Sequence, residues 1–438
     1  MNDLTGMHWT EDTPGYDEER RGYQRLDPHR PTHIVGATTR DDVQRAVRYA
    51  REHRLPLAVK ATGHGHVWPL DGGVLITTSR LDRVTIDPER KTAWIEAGAT
   101  WQQVIDAAAP HGLAPLSGSL PGVTAVPYIL GGGLSLMARR YGFAADHVRR
   151  IEVVTPDGEL RNAEDDPDLF WALRGGGGNF GVVTAMEIDL FPVPTLYGGS
   201  LYYDLAATPD ALQAWHDWAQ TVPDAVTSAV GLIPFPDIEP VPARLRGKYI
   251  AQLQVSITPD ADGPALVTAL RDSLGEPLID TVKQRPFTET GEIFDEPAHP
   301  AAYRSRNLLL SELDKQALTT IPNLAGPTAK AMCIVGIRHL GGALSNKPAI
   351  DNAVGNRDAQ YLLSVLTTGG NDTSDLHRAI LEPWTQYAVG RSLNFSFGPL
   401  TQAELRETYD DYNRLARLRT HYDPTNLLQP NHPITGRQ

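Results

Sequence analysis

The hydrophobic pattern changes period repeatedly along the chain, and each change marks an element. After Thr39, apolar residues recur at Val43, Ala46, Val47 and Ala50, the spacing of one face of a helix. Thr39 precedes that face as an N-cap, and Asp41 and Asp42 occupy the first turn, where the helix dipole favours negative charge. THIVGATT before this helix and LPLAVK (55–60) after it are apolar runs of strand length. GGVLITTS follows, then VTIDPERKTAWIEAGA, two strands joined by a turn at Asp87-Pro88, then a helix from Trp101 to Ala109. Strands alternating with single helices over roughly the first 190 residues predict a layered domain of mixed structure.

Phe191-Pro-Val-Pro-Thr is a proline-punctuated exit from this block and predicts a domain boundary near 195. Beyond it, LYGGSLYYDL, KYIAQLQVSI, AMCIVGIRHLGGAL and AQYLLSVLTTG read as strands, and DALQAWHDWAQTV and PALVTALRDSL as helices. That mixture predicts one sheet with helices on one face. The stretch from Leu405 to Gln438 reads as a helix rich in Tyr and Arg, then a turn at Asp423-Pro424. The expected division is a polar segment 1–29, one domain 30–195, a second 196–404, and a return segment 405–438.

Composition narrows the function only by exclusion. The 438 residues carry 40 basic and 53 acidic side chains, net −13, which argues against nucleic acid or an anionic membrane as partner. Cys333 is the single cysteine, so neither a disulfide framework nor a thiolate metal cluster is expected. The start of the chain is polar and acidic without an apolar h-region, and no apolar run approaches the ~20 residues of a membrane span. The expectation is a cytoplasmic protein, monomeric or a homodimer.

Three glycine segments carry candidate chemistry. Gly175-Gly176-Gly177-Gly178-Asn179-Phe180-Gly181 lies between the helix-like DLFWAL and the strand-like VVTAMEIDL. Gly131-Gly132-Gly133 precedes LSLMARRYG, predicted as a helix whose N-terminus would face a phosphate. Thr62-Gly63-His64-Gly65-His66 directly follows a strand. Glycines let backbone amides converge on an anion, although each segment alone is also an ordinary turn pattern. A nicotinamide site needs G-x-G-x-x-G between strand and helix, and here the long run leads into a strand, the wrong order. His64-x-His66 as a metal pair lacks a third ligand at readable spacing, so no metal is expected.

Together these segments resemble the berberine-bridge-enzyme-like branch of the vanillyl-alcohol-oxidase superfamily. The resemblance is carried by RPTHIVGATTRDDVQRAVRYAREHRLPLAVKATGHG, GVLITTSRLDRVTIDPERKTAWIEAGATW, LPGVTAVPYILGGGLSLMARRYGFAADHV, DLFWALRGGGGNFGVVTAMEIDLFPV and HYDPTNLLQPNHPI, in that order. It implies an α+β fold: a PCMH-type, two-subdomain FAD-binding domain, and a substrate domain whose antiparallel sheet is covered by helices. It also implies FAD bonded covalently to His64, with Lys60, Ala61, Thr62, Gly63, Gly65, Ser117, Leu120, Pro121, Gly122, Val123, Gly131, Gly132, Gly133, Gly177, Gly178, Asn179, Gly181, Val183 and Asn431 about the cofactor. Many members add a second link through a cysteine eleven residues before the triple glycine, where this chain has Leu120, so a single link is implied. Val123, small and at the position bordering the face that dioxygen approaches, is similar to members that act as oxidases.

The catalytic base departs from the family pattern. The family's asparagine–tyrosine pair reads Asn394-Phe395 here, and Gly336, two residues before Arg338, stands where a carboxylate or amide is frequent. Tyr249, His339, Tyr202 and Tyr303 are the remaining candidates, each equally readable as a packed strand residue. Arg338 and His339 read either as orienting an anionic or phenolic substrate or as an internal pair. The expected activity is two-electron oxidation of a small alcohol, hemiacetal, phenol or amine with O2 as acceptor and H2O2 as product. A flavin-dependent oxygenase and a flavin-bearing binding protein without turnover stand as alternatives.

Overall fold

The computed structural model of the protein describes residues 4–435; residues 1–3 and 436–438, the outermost parts of the segments 1–29 and 405–438, lie outside the described residues. The helix expected after Thr39 runs Arg40–Glu52, with Thr39 and Asp42 closing a reciprocal capping box. Its face Val43, Ala46, Val47 and Ala50 is fully buried against a small sheet. That sheet pairs His33–Gly36 and Leu57–Lys60 in parallel on either side of Val74–Thr77, with Met7–Trp9 added antiparallel at one edge.

A second sheet is antiparallel throughout, in the order Val84–Asp87, Thr92–Glu96, Val182–Asp189, Val148–Val154, Leu160–Asn162. It shares one core with the helices Trp101–Ala108, Ala125–Leu130, Pro167–Ala172 and Tyr412–Tyr422. From Thr195 onward the chain builds a nine-stranded antiparallel sheet. Leu201, Tyr203, Val230, Leu253, Leu308, Val335 and Leu363 point from its strands into a core with the helices Ala211–Ala219, Gly263–Leu274 and Ser374–Leu381. The opposite face carries Ser200, Gln252, Ser305, Asn307 and Arg338, residues of the alternate phase. The mixed helix-and-sheet class and the helix-covered antiparallel sheet agree with the expectation from sequence.

Two expectations are corrected. The triple glycine does not open a helix: Ala125–Leu130 ends at Gly131, and Gly132 and Gly133 take φ of +103° and +80° before an irregular stretch. Only the four-residue helix Ala138–Tyr141 follows, so no helix N-terminus faces an anion there. The segment before residue 30 is also more ordered than its polarity suggests, supplying the edge strand and the helical turn Tyr16–Glu19. The strands Val148–Val154 and Val226–Pro234 have no counterpart in the sequence reading, which set Tyr303 on or near the sheet without bounding the strand Tyr303–Leu310. Among the described residues, no helix is long and apolar enough to cross a membrane.

After Tyr412–Tyr422 the chain returns to the first sheet. Leu57 N–H donates to Leu427 O at 2.8 Å, and Gln429 N–H donates to Leu57 O at 2.7 Å. Asp423 fixes this return: its carboxylate is fully buried, lies 2.7 Å from Arg419, and accepts the amides of Leu427 and Leu428 at 2.8 Å each. Removing one member of such a pair strands the other charge without compensation. Asp423→Ala is therefore expected to cost about 3 kcal/mol, read as a lower urea midpoint at unchanged m-value. An unchanged midpoint would show that the return segment is held without it.

Candidate active site

His64 stands four residues past the end of Leu57–Lys60, in a loop that must pass close to another backbone. Gly63 adopts φ +76°, and a Cβ there would lie 2.7 Å from the Cα of Gly22. The partner is the N-terminal segment, which donates Tyr23 N–H to Thr62 O at 2.8 Å and Gln24 N–H to Gly63 O at 3.1 Å. The Tyr23 ring stacks on the His64 imidazole, centroids 3.9 Å apart and planes 18° from parallel. From the nine-stranded sheet, the Tyr303 hydroxyl donates to His64 O at 2.7 Å. From the C-terminal return, Asn431 Oδ1 accepts Val67 N–H at 3.2 Å.

The ring nitrogens of His64 differ. Nδ1 lies 2.8 Å from Thr62 Oγ1, which in turn lies 3.0 Å from Thr124 Oγ1. Nε2 is buried and has no hydrogen-bond partner among the described residues. Burial lowers the His64 pKa to about 4, so the ring is neutral at pH 7 and keeps a nucleophilic lone pair. The amides of Gly63, His64, Gly65 and His66 likewise have no acceptor among the described residues. A row of free amides about a left-handed glycine is an anion cradle.

His64 lines a cavity of about 1010 Å³ together with Lys60, Ala61, Thr62, Tyr23 and, on the facing wall, Leu120, Pro121 and Gly122. A Cβ on Gly122 would meet nothing within 4 Å, so this turn is open to a ligand. Ser119, one residue before Leu120, donates its hydroxyl to Glu296 at 2.8 Å, and the Arg338 guanidinium lies 3.4 Å from that hydroxyl and 3.9 Å from Glu296. The same guanidinium lies over the rings of Phe294 and Phe395, at 4.5 and 4.9 Å. Arg338 is thus internally paired, and Glu296, on the cavity wall, is the carboxylate it faces. Ser117 is fully buried with its hydroxyl unpartnered.

Other expected cofactor residues sit apart from this cavity. Val123 packs half-buried against the core shared with the second sheet. The two glycine runs meet each other, Gly177 N–H donating to Leu130 O at 2.9 Å, and both press on Val354 through Gly132 and Gly175. Gly178 has open space beside it, whereas a Cβ on Gly181 would lie 2.6 Å from Val153. Val183 is a buried strand residue. Asn179 is buried and ties the glycine run to the C-terminal segment, donating to Gly176 O and His432 O and accepting from Ile434 N–H. A Cβ on Gly65 would lie 3.9 Å from the Asn431 amide.

Strand alternation separates the four catalytic candidates. Tyr303 and Tyr202 share the polar face, Tyr303 on the His64 loop and Tyr202 accepting from the Gln252 amide at 3.0 Å. Burial pushes the Tyr202 phenol up to about 12 and that of Tyr303 well above its ordinary value, so both stay protonated at neutral pH. Tyr249 and His339 point to the opposite, helix-covered side: Tyr249 lies in that core, and His339 stacks on Tyr361 and contacts Arg139 at 3.1 Å. Neither lines the cavity; both are packed residues of the covered face. Cys333 is on the same covered face, its thiol pushed up to about 12 by burial. Tyr23, Thr124 and Glu296 were not singled out by the sequence reading; Tyr23 is one of three aromatics, with Trp9 and Tyr16, in the polar start of the chain, and nothing local separates it from the other two.

Known proteins bear on this geometry. Residues 31–164 match a family described as an FAD binding domain. Over 97% of this chain and 96% of that protein, the sequence is 27% identical to the uncharacterized FAD-linked oxidoreductase YgaK of Bacillus subtilis. The chain is thus similar over its first third to an FAD binding domain, and over nearly its whole length to an FAD-linked oxidoreductase. A stretch covering 42% of it is 33% identical to (R)-6-hydroxynicotine oxidase of Paenarthrobacter nicotinovorans, covering 41% of that protein. The wild-type BBE-like 1 protein of Physcomitrella patens has the same fold, with a TM-score of 0.83 at 18% identity over 99% of this chain and 98% of that one. The chain therefore shares the fold of that BBE-like protein.

The residues present fit the cofactor of such an oxidoreductase. The cavity volume suits a dinucleotide, the free amides of 63–66 suit a pyrophosphate, and the unpartnered Nε2 suits a group that the protein itself lacks. The neutral state of His64 belongs to a wider set. His29 and His339 are lowered to about 3, and His377 and His432 to about 4, in each case by burial first. Between those values and the unfolded pKa near 6.5, the unfolded chain binds more protons, so stability is full above about pH 6.5 and falls as pH drops toward 4. The melting temperature is therefore expected to be lower at pH 5 than at pH 7.5. An equal or higher value at pH 5 would contradict the buried neutral state.

Proposed function

We propose that the chain oxidises a small organic alcohol, hemiacetal, phenol or amine by two electrons and passes them to O2, releasing H2O2, with FAD bonded covalently through His64 alone. The carrying observation is the neutral, buried imidazole whose Nε2 has no partner beside a cavity of about 1010 Å³. Leu120 on the facing wall offers no second nucleophile, and Cys333 lies on the far side of the nine-stranded sheet. The (R)-6-hydroxynicotine oxidase relative supports a substrate of the amine or phenol type.

When bound, FAD supplies the hydride acceptor and the reaction with O2. The protein's own residues do the rest. The amides of 63–66 hold the pyrophosphate, and the segment 30–195 with the return 405–438 forms the cofactor-binding part. From the polar face of the sheet in 196–404, Arg338 reaches Ser119 and faces Glu296 on the cavity wall. Glu296, held by Ser119 and facing Arg338, accepts the proton leaving the substrate O–H or N–H. Tyr303 orients the His64 loop rather than serving as base, since its proton is engaged and its pKa is raised.

The test is a visible spectrum of the purified protein before and after acid precipitation, with His64→Ala alongside. Yellow colour should stay in the wild-type pellet and leave the His64→Ala pellet, and kcat of the variant should fall about tenfold, ~1.4 kcal/mol of barrier. A wild-type pellet without flavin would remove the covalent link. Labelled oxygen in the product without stoichiometric H2O2 would replace oxidation by oxygenation.

A further inference from the structure

The segment ahead of the first parallel strand is woven between the His64 loop and the nine-stranded sheet. Tyr23 N–H and Gln24 N–H bond the His64 loop on one side, while Arg25 N–H donates to Ala301 O and Ala301 N–H to Tyr23 O on the other. The Gln24 side chain bonds the Tyr303 backbone in both directions, at 2.5 and 3.3 Å. The Tyr23 hydroxyl donates to Pro297 O, which anchors the far end of the ring. The ring is therefore fixed before it meets His64. His64 itself has a single side-chain hydrogen bond, from Nδ1 to Thr62, and one bond at one ring nitrogen leaves the imidazole free to swing about it. The stack at 3.9 Å removes that freedom.

We propose that Tyr23 is the positioning residue for the covalent bond at His64: its ring sets the plane in which the imidazole meets the flavin methyl carbon. This rests on the covalent reading above. In forming the link, one C–H bond of the 8α-methyl group and one imidazole N–H bond are lost and one C–N bond forms. The two electrons and two protons leave through the isoalloxazine to O2 as H2O2. Tyr23 takes no part in the electron or proton transfer; it holds the nucleophile in line, and misplacement by an ångström costs such a step far more than it costs binding. A Phe keeps the stacking face and loses only the bond to Pro297, whereas a Leu loses the face.

The test is the ratio of acid-stable to total flavin in wild type, Tyr23→Phe and Tyr23→Leu purified from parallel expressions, with thermal unfolding of each. Wild type and Tyr23→Phe are expected to keep nearly all flavin acid-stable. Tyr23→Leu is expected to retain total flavin and melting temperature close to wild type while the acid-stable fraction falls about tenfold. An acid-stable fraction in Tyr23→Leu equal to wild type overturns the proposal. So does parallel loss of total flavin and thermal stability, which marks Tyr23 as plain packing. Flavin lost from the wild-type pellet overturns the covalent reading itself, an outcome distinct from either.

Discussion

The site rests on the passage of one glycine against another. Gly63 and Gly22 approach so closely that a Cβ on either would lie within 3 Å of the other's backbone, and the N-terminal segment thereby lies flat along the His64 loop. From that contact follow the two backbone bonds, the Tyr23 stack and the burial that keeps the imidazole neutral. Tyr303 and Asn431 complete the hold from regions of the chain more than two hundred residues away. A loop pinned by three distant segments cannot relax to pair Nε2 or the amides of 63–66, so these polar groups stay without partners among the described residues.

The nine-stranded sheet does the second half of the work by having two unlike faces. One is apolar and buried under helices; the other is lined by glutamines, serines, Asn307, Tyr303 and Arg338. Two-residue periodicity means that neighbours on one strand have opposite fates. Arg338 reaches Ser119 and Glu296 at the cavity, and the next residue, His339, lies with Arg139 and Tyr361 on the covered side. That single alternation turns Arg338 toward Ser119 and Glu296 and leaves Tyr249, His339 and Cys333 on the covered side.

Much of the fold was legible in the chain itself. The N-cap at Thr39, the apolar face Val43–Ala46–Val47–Ala50, the hairpin turn at Asp87-Pro88 and the turn at Asp423-Pro424 are local signals, written within a few residues, and the structure carries each of them. His64 was singled out by the resemblance, which rests on the order of whole blocks of sequence and not on one short pattern. The triple glycine was misleading: Gly132 and Gly133 supply positive φ and close packing on Tyr128 and Val354, needs that no local pattern separates from an anion cradle.

Sequence by itself therefore determined the first helix with its N-cap, the local turns, and the absence of a thiol at Leu120. Only the tertiary structure decided which side chains surround His64. Tyr23 lies 41 residues from His64, Tyr303 lies 239 residues away, and Glu296 meets Ser119 across 177. The face on which each strand residue falls depends on sheet register, and the stack of Tyr23 depends on two backbones touching. Both are set by long-range packing, whose energy is spread over the whole core, so no short stretch of sequence carries them.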